Sequence, residues 1–183
     1  NRKVVMIQVE VRDIDLQEAA AKGMDEFIQV FVDAIYKSIG GELTQEMMQE
    51  LNSDQITLLA YILLREEVMN GLGILITERA RVLVRQLIHN GYGSFIFKNP
   101  FAKAVKAWGM KDLCRMVYDV HTLYAKYHDE IEKDCTDDEF MAMFEQYPEF
   151  DDYDDGFVEN EERWTEDIAH YIDSNIEKFA KIV

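Results

Sequence analysis

The sequence of 183 residues contains little cysteine and no long apolar run, and both absences exclude whole classes of protein. Its two cysteines, Cys114 and Cys135, lie on different segments, and a disulfide framework would need more of them. We therefore expect two reduced thiols in a cytoplasmic protein. No apolar stretch is long enough to cross a bilayer, and the first residues show no signal-peptide core followed by a small-residue cleavage site.

Motifs of catalysis and metal binding are also missing. The chain has no phosphate-binding glycine loop, no nucleophile elbow, no paired-cysteine motif and no His-Glu-x-x-His. His121 and His128 are seven residues apart and close to Glu132. Without a ligand from a second element, this spacing is typical of ordinary histidines on a helix surface. The sequence therefore predicts a protein with no enzymatic activity, no metal ion and no other cofactor.

Positive charge is scarce, because 36 acidic residues stand against 19 basic ones and give a net charge of −17. Residues 129–183 hold 20 acidic and 4 basic residues, whereas residues 1–128 are nearly balanced with 16 and 15. Such an excess disfavours direct binding to nucleic acid or to an anionic membrane, and it favours a basic protein as the partner. The sequence leaves the oligomeric state open, a homodimer included.

What the chain does have is apolar residues at helical spacing, and 48% of its residues are hydrophobic. One segment, Val5–Val11, alternates instead with the period of a strand. We expect an all-α fold, with residues 1–183 forming a single compact multi-helix domain and residues 1–15 a short N-terminal strand or extended arm. Helices are predicted over residues 13–39 (with Asp13 or Asp15 as the capping residue), 44–51, 55–69, 72–89, 100–108, 111–133, 139–147 and 161–181.

Glycines and capping residues set the expected helix ends. Gly40-Gly41 should end the first long helix, and Gly109 should close the helix over residues 100–108. Asn52-Ser53-Asp54 should open the helix over residues 55–69, which we expect to be the most buried. We expect Leu72–Arg85 to be helical too, with Leu75, Val82, Leu83 and Leu87 facing inward.

The acidic segment, residues 134–162, contains 13 carboxylates and neither lysine nor arginine. Pro148 is expected to end a short helix, and residues 149–160 are expected to form an acidic loop with interleaved aromatic residues. In the simplest interpretation these aromatic rings pin the loop to the core and its carboxylates are only solvated. A second interpretation is a calcium loop over residues 151–162.

The calcium interpretation takes Gly156 as the turn glycine of an EF-hand loop. Asp151, Asp155 and Glu162 then fall on positions one, five and twelve of that loop. The third position, which should supply a side-chain oxygen, is Tyr153.

Several short motifs resemble a known family. They are Arg65–Met69 running into Asn70-Gly71, Gln86–Asn90, Ala107-Trp108-Gly109 and Tyr171-Ile172. Together they resemble the acidic, all-helical bacterial DNA-mimic proteins over roughly residues 25–180. In the named member of that family, acidic side chains imitate the phosphates of a duplex and occupy the DNA-binding face of a transcription regulator. The family's Asn-Gly-Gly-Phe-x-Gln pattern is interrupted here, since Leu72–Arg85 stands between Asn70-Gly71 and Gln86.

The resemblance implies a basic, DNA-binding protein partner engaged by the acidic C-terminal third. Carboxylates three or four residues apart on a helix have Cβ atoms about 5–6 Å apart, so a helix edge can approach the charge spacing of a duplex. Neutralising a basic toxin is an alternative use of the same charge. The expected partner-binding residues are Asp134, Asp137, Asp138, Glu145, Asp151, Asp152, Asp154, Asp155, Glu159, Glu162 and Glu166.

Overall fold

A computed structural model describes residues 7–43, 45–69, 99–131 and 149–183 of the chain. Helices dominate these residues, and the predicted all-α fold is confirmed. The elements are β1 (Glu10–Val11), α1 (Asp13–Lys22), α2 (Met24–Ser38), α3 (Gln45–Met48), α4 (Ser53–Met69), α5 (Asn99–Ala107), α6 (Lys111–Ile131), α7 (Glu149–Ser174), α8 (Ile176–Phe179) and β2 (Lys181–Ile182).

The chain divides into two compact units. The first unit comprises residues Asn1–Tyr61 and Arg163–Val183, and the second comprises residues Ile62–Glu162. The boundaries fall inside α4 and inside α7. The expectation of one domain over residues 1–183 stays a prediction.

In the first unit the two ends of the chain form a parallel strand pair. Glu10 and Val11 of β1 pair with Lys181 and Ile182 of β2. The N–H of Lys181 donates to the carbonyl of Val9 at 2.8 Å. The predicted N-terminal strand thus exists, and its partner, which the sequence did not reveal, is the C-terminus. Asp13–Asp15, the end of the predicted arm, already belong to α1.

The first predicted helix is divided at Gly23, whose φ of 138° no helical residue adopts. α1 and α2 therefore form separately on either side of it and contact each other. Gly40-Gly41 ends α2 as predicted. The N–H of Gly41 donates to the carbonyl of Tyr36 and that of Gly40 to Lys37, at 2.7 and 3.3 Å, which is a Schellman motif.

Asn52 caps α4, as the sequence predicts, in a reciprocal arrangement with Gln55. Asn52 Oδ1 accepts the N–H of Gln55 at 2.9 Å, and Gln55 Oε1 accepts the N–H of Asn52 at 3.0 Å. The same two side chains donate to the carbonyls of Lys178 and Phe179 at 2.7 and 2.9 Å. The capping residues of α4 therefore also hold the C-terminal segment of the first unit.

α5 and α6 pack together in the second unit and are joined by a tight turn at Gly109. The N–H of Met110 donates to the carbonyl of Val105 at 2.9 Å, and Gly109 has a φ of 102°. Val105 and Met110 are both fully buried, as expected for the apolar pair of a Schellman motif. The predicted end of this helix at Gly109 is confirmed.

The predicted C-terminal helix is wrong in both of its bounds. α7 begins at Glu149 and ends at Ser174, and α8 and β2 follow it in place of a helix to residue 181. The predicted helix over residues 44–51 is shorter, Gln45–Met48. The predicted helices over residues 72–89, with Leu72–Arg85, and over residues 139–147 lie outside the described residues.

Candidate functional site

Helix α7 presents a row of carboxylates on one exposed face. Asp155, Glu159, Glu162 and Glu166 are all exposed and follow one another at spacings of four, three and four residues. At 3.6 residues per turn these four positions fall within about 60° of arc around the helix axis. We call these four residues the acidic stripe.

The opposite face of α7 is apolar and buried. Phe157, Trp164 and Ile168 are at most 1% exposed and lie about half a turn around the helix from the acidic stripe. Burial of each such side chain contributes about 1.5–3 kcal/mol to the stability of the fold. Because this face is held inward, the carboxylates of the acidic stripe point outward.

In the second unit two further contacts fix the rotation of α7. Met116 of α6 lies so close to Gly156 that a Cβ there would be 3.3 Å from its Cε. Arg65 of α4 pairs with Glu161 at 3.7 Å, and both side chains are about four-fifths buried. Gly156 and Glu161 lie on flanks of α7 away from the acidic stripe. Glu161 is therefore a structural carboxylate, in contrast to its exposed neighbours Glu159 and Glu162.

In the first unit, hydrogen bonds hold the C-terminal half of α7. The hydroxyls of Tyr61 and Thr165 lie 2.9 Å apart in the core. Tyr171 donates its hydroxyl to Asp54 Oδ1 at 3.0 Å. Burial raises the pKa of the Tyr171 hydroxyl, the Asp54 carboxylate raises it further, and the ammonium of Lys178 opposes the change.

The carboxylates of the acidic stripe repel one another only modestly. Two unit charges about 6 Å apart in water interact with roughly 0.7 kcal/mol. Asp155, Glu159 and Glu162 form no ion pair with another described residue, and Glu166 lies 3.6 Å from His170 Nε2. A cationic partner would therefore reduce the repulsion among these carboxylates, which the other described side chains do not neutralise.

The charge spacing of the acidic stripe can be compared with that of DNA. From Asp155 to Glu166 the helix rises by about 16 Å, so the stripe carries one charge per roughly 5.5 Å. A single DNA strand carries one phosphate per about 3.4 Å of helix axis. The acidic stripe is therefore a sparser row of charge than one strand.

Comparisons with known proteins agree with this picture. A family model described as DMP19-like protein matches residues 49–175. Over 138 residues the chain is 31% identical to the DNA mimic protein DMP19 of Neisseria meningitidis serogroup B (strain ATCC BAA-335 / MC58), an alignment that covers 75% of this chain and 77% of that protein. The chain belongs to the DMP19-like protein family. The resemblance inferred from the short sequence motifs is thereby confirmed.

The DMP19-like region contains α4, α5, α6 and α7, with the whole acidic stripe inside it. β1, α1, α2, α3, α8 and β2 lie outside the matched residues. The stretch Leu72–Arg85, which interrupts the family pattern, lies inside the match but outside the described residues.

The structure places the predicted partner-binding residues in three groups. Asp155, Glu159, Glu162 and Glu166 share the exposed face of α7. Asp151, Asp152 and Asp154 belong to the first two turns of the same helix. The remaining residues lie outside the described residues, namely Asp134, Asp137, Asp138 and Glu145.

The predicted acidic loop over residues 149–160 is wrong, because these residues are the N-terminal part of α7. Acidic residues are favoured near the start of a helix by the positive end of its dipole, so an acidic sequence over residues 149–152 does not argue against a helix. The calcium interpretation, which required a loop over residues 151–162, is wrong for the same reason. An EF-hand wraps its ligands around the ion in a non-helical loop, and a continuous helix over residues 151–162 cannot do so.

Sequence reasoning missed a second acidic region, on α1, α2 and the residues that follow them. Residues 7–61 hold 11 acidic and 3 basic residues, a bias that averaging over residues 1–128 conceals. When the charges are counted by compact unit, the first unit carries 15 acidic and 8 basic residues. The second unit carries 21 acidic and 11 basic residues. The net charges are thus −7 and −10, a more even division than the sequence windows suggested.

The described residues contain no cluster of metal ligands. Across residues 7–43, 45–69, 99–131 and 149–183, no group of three or more His, Cys, Asp or Glu side chains is arranged to hold a metal ion. Cys114 is buried as a free thiol within α6, and Cys135 lies outside the described residues. None of the described helices has the length and apolarity needed to cross a bilayer.

Proposed function

We propose that this protein is a non-enzymatic DNA mimic that occupies the basic DNA-binding face of a transcription regulator or another nucleic-acid-binding protein. The observation that carries the proposal is the acidic stripe on a helix inside the DMP19-like region. The name of its Neisseria relative, DNA mimic protein DMP19, supports the proposal further. The partner on this proposal is a basic protein, and nucleic acid itself is repelled.

The physics of the acidic stripe fits such a partner. A DNA-binding face is lined with lysine and arginine that contact phosphates, and these contacts carry position rather than sequence information. A row of carboxylates on a helix can satisfy the same cations without offering base edges. Because α7 is anchored through Phe157, Trp164 and Ile168, its backbone is already ordered, and only the carboxylate side chains lose freedom when the partner binds.

The proposed surface extends beyond the acidic stripe along the acidic segment. In addition to Asp155, Glu159, Glu162 and Glu166 it comprises Asp134, Asp137, Asp138, Glu145, Asp151, Asp152 and Asp154. Further charge is needed because the acidic stripe alone is sparser than one DNA strand.

The test is a competition experiment with a charge-matched control. The protein is immobilised and exposed to lysate of its native cell, and bound proteins are eluted with duplex DNA and identified. The affinity of the purified partner is then measured for the wild type, for D155N/E159Q/E162Q/E166Q and for a control, E18Q/E42Q/E46Q/D119N. Both variants replace one Asp and three Glu that are exposed, so both have a net charge of −13.

We expect the stripe variant to weaken the complex by at least about tenfold at low salt, while the control weakens it much less. The helical circular dichroism signal should be the same in all three proteins. Equal weakening in both variants would show that only net charge matters. Failure of duplex DNA to elute any bound protein would contradict the mimic proposal itself.

A further inference from the structure

The second unit of this acidic protein contains an exposed basic surface on α5 and α6. Lys103 and Lys106 lie three residues apart on α5, and Lys111 and Arg115 lie four apart on α6. All four side chains are exposed, on either side of the turn at Gly109. Between Lys103 and Arg115 the chain contains a single acidic residue, Asp112. We call the four cations the basic face.

The packing of α5 and α6 determines which side of each helix carries the cations. Phe101 and Val105 of α5 and Leu113 and Val117 of α6 are buried on the opposite sides of their helices. α5 and α6 contact each other, so the two pairs of cations belong to one packed helix pair. None of the four cations forms an ion pair with another described residue.

Helix stability alone does not account for this charge. Lys111 is the first residue of α6, where a positive charge opposes the helix dipole by about 0.3–1 kcal/mol. Exposed lysines in a chain with many acidic residues commonly form surface ion pairs, but these four cations form none with another described residue. At physiological salt, charges more than about 8 Å away are largely screened, so the local charge is set by the four cations and by the two exposed carboxylates beside Arg115, Asp112 and Asp119, and it stays positive despite a net charge of −17.

We propose that the basic face is a second recognition surface, which binds an acidic segment of a protein partner. Pairs of cations spaced three and four residues apart on a helix, with Cβ atoms about 5–6 Å apart, match carboxylates at the same spacing on another helix. Nothing in this proposal depends on the function of the acidic stripe.

Nucleic acid fits the basic face less well. A duplex carries one charge per about 1.7 Å, so contact with four cations would bring many unpaired phosphates against a unit of net charge −10. Single strands bind on successive aromatic rings. Among the α5 and α6 side chains that the structure describes, Tyr118 is the only exposed ring.

The probe is a fluorescein-labelled helical peptide with four glutamates spaced three and four residues apart among alanine and glutamine. Its binding is followed by fluorescence anisotropy at low ionic strength. The wild type is compared with K103Q/K106Q/K111Q/R115Q and with R12Q/K22Q/K37Q/K181Q. The second variant is a matched control, since it also replaces three Lys and one Arg that are exposed and gives the same net charge.

We expect the first variant to bind the peptide at least about tenfold more weakly than the wild type and the control to bind it almost as well. If circular dichroism shows that the quadruple variant is misfolded, the pairs K103Q/K106Q and K111Q/R115Q are tested separately and each should give part of the loss.

Four outcomes would overturn the proposal. They are the absence of peptide binding, equal loss in both variants, tighter binding of a labelled oligonucleotide than of the peptide, and self-association that only the basic-face variant abolishes. The third would assign the surface to nucleic acid and the fourth to a second copy of the chain. None of them bears on the acidic stripe, whose test uses a different partner and different residues.

Discussion

At the scale of single residues, Tyr171 connects three segments of the first unit. Its hydroxyl donates to Asp54 of α4, its ring packs edge-on against Phe179 at 6.0 Å, and Lys178 Nζ lies 5.7 Å from the ring centroid. The phenylalanine variant keeps the ring contacts and removes only the hydroxyl, which donates to Asp54 and accepts from Lys178 Nζ at 3.5 Å, so it isolates these two hydrogen bonds.

We predict that Tyr171→Phe lowers the free energy of unfolding by about 1 kcal/mol at neutral pH. The pKa of Tyr171 is higher in the folded chain than its ordinary value of about 10, so the unfolded state releases this proton first. The stability linked to this shift is complete below about pH 10 and is lost as the pH rises through the folded value. The difference between wild type and variant should therefore shrink at high pH.

Urea unfolding at neutral pH and at roughly pH 10–11 measures this difference. Tyr118→Phe, which removes a hydroxyl from an exposed ring, is the control and should leave stability nearly unchanged. A wild-type advantage that grows above about pH 10 would contradict the assigned direction of the shift.

Two glycines should respond to alanine in opposite directions. Gly156 has a helical backbone, so alanine gains about 0.5–1 kcal/mol of helix propensity, and the new Cβ meets only the flexible tip of Met116. Gly109 has a φ of 102°, where a side chain is strained by about 1–3 kcal/mol. We predict that Gly156→Ala raises the free energy of unfolding and that Gly109→Ala lowers it, as measured by urea unfolding. A destabilised Gly156→Ala variant would show that Met116 cannot move aside.

At the scale of elements, the capping residues of α4 have two tasks. Asn52 satisfies the N–H of Gln55 and also donates to the carbonyl of Lys178, so its loss weakens both the helix end and the contact with the C-terminal segment. We predict that Asn52→Ala lowers the free energy of unfolding by roughly 1–3 kcal/mol. Ser53→Ala, at the exposed neighbouring position, should change it by less than about 0.5 kcal/mol.

An aspartate at position 52 separates these two tasks. Asn52→Asp keeps the oxygen that accepts the N–H of Gln55 but loses the amide donor to Lys178. Its stability should therefore lie between that of the wild type and that of Asn52→Ala. Chemical denaturation of the four proteins under one set of conditions tests the order, and equal loss in both Asn52 variants would assign the whole effect to the Lys178 contact.

Helix α7 shows how far the sequence could predict an element. The positions of Phe150, Phe157, Trp164 and Ile168 have helical spacing, which continues through residues 149–160. The high density of carboxylates and the preceding Pro148 instead favoured a loop. The spacing of the apolar residues decides the structure here, because burial of the apolar face stabilises the helix by several kcal/mol. Each repulsion between two carboxylates in water costs less than about 1 kcal/mol. Helix ends marked by glycine or by a capping residue, such as Gly41, Asn52 and Gly109, were predictable because their cause is local.

At the scale of the whole molecule, the parts that sequence could not supply are those that depend on distant contacts. The pairing of Val11 with Ile182 joins residues at opposite ends of the chain, and no local pattern reveals it. The same contact brings the acidic residues of α1 and α2 into one unit with Arg163–Val183. The net charge of a compact unit therefore differs from that of any contiguous window of sequence.

The spacing of the carboxylates on α7 also determines how the proposed complex should respond to salt. A partner that binds duplex DNA gains free energy from the release of condensed counterions, and its affinity falls with a log–log slope of about −0.9 for each phosphate neutralised. The acidic stripe carries one charge per roughly 5.5 Å, against one per about 1.7 Å for both strands of a duplex. Fewer counterions are condensed on the stripe and fewer are released from it.

We therefore predict that the partner's affinity for this protein falls less steeply with salt than its affinity for DNA. Isothermal titrations of the same partner with this protein and with a duplex, at four or more salt concentrations between roughly 50 and 200 mM, give the two slopes. Raising the salt in a competition assay should then shift the partner from the duplex to the protein. An equal or steeper slope for the protein would contradict this prediction and show that the spacing of the acidic stripe does not set the salt dependence of the complex.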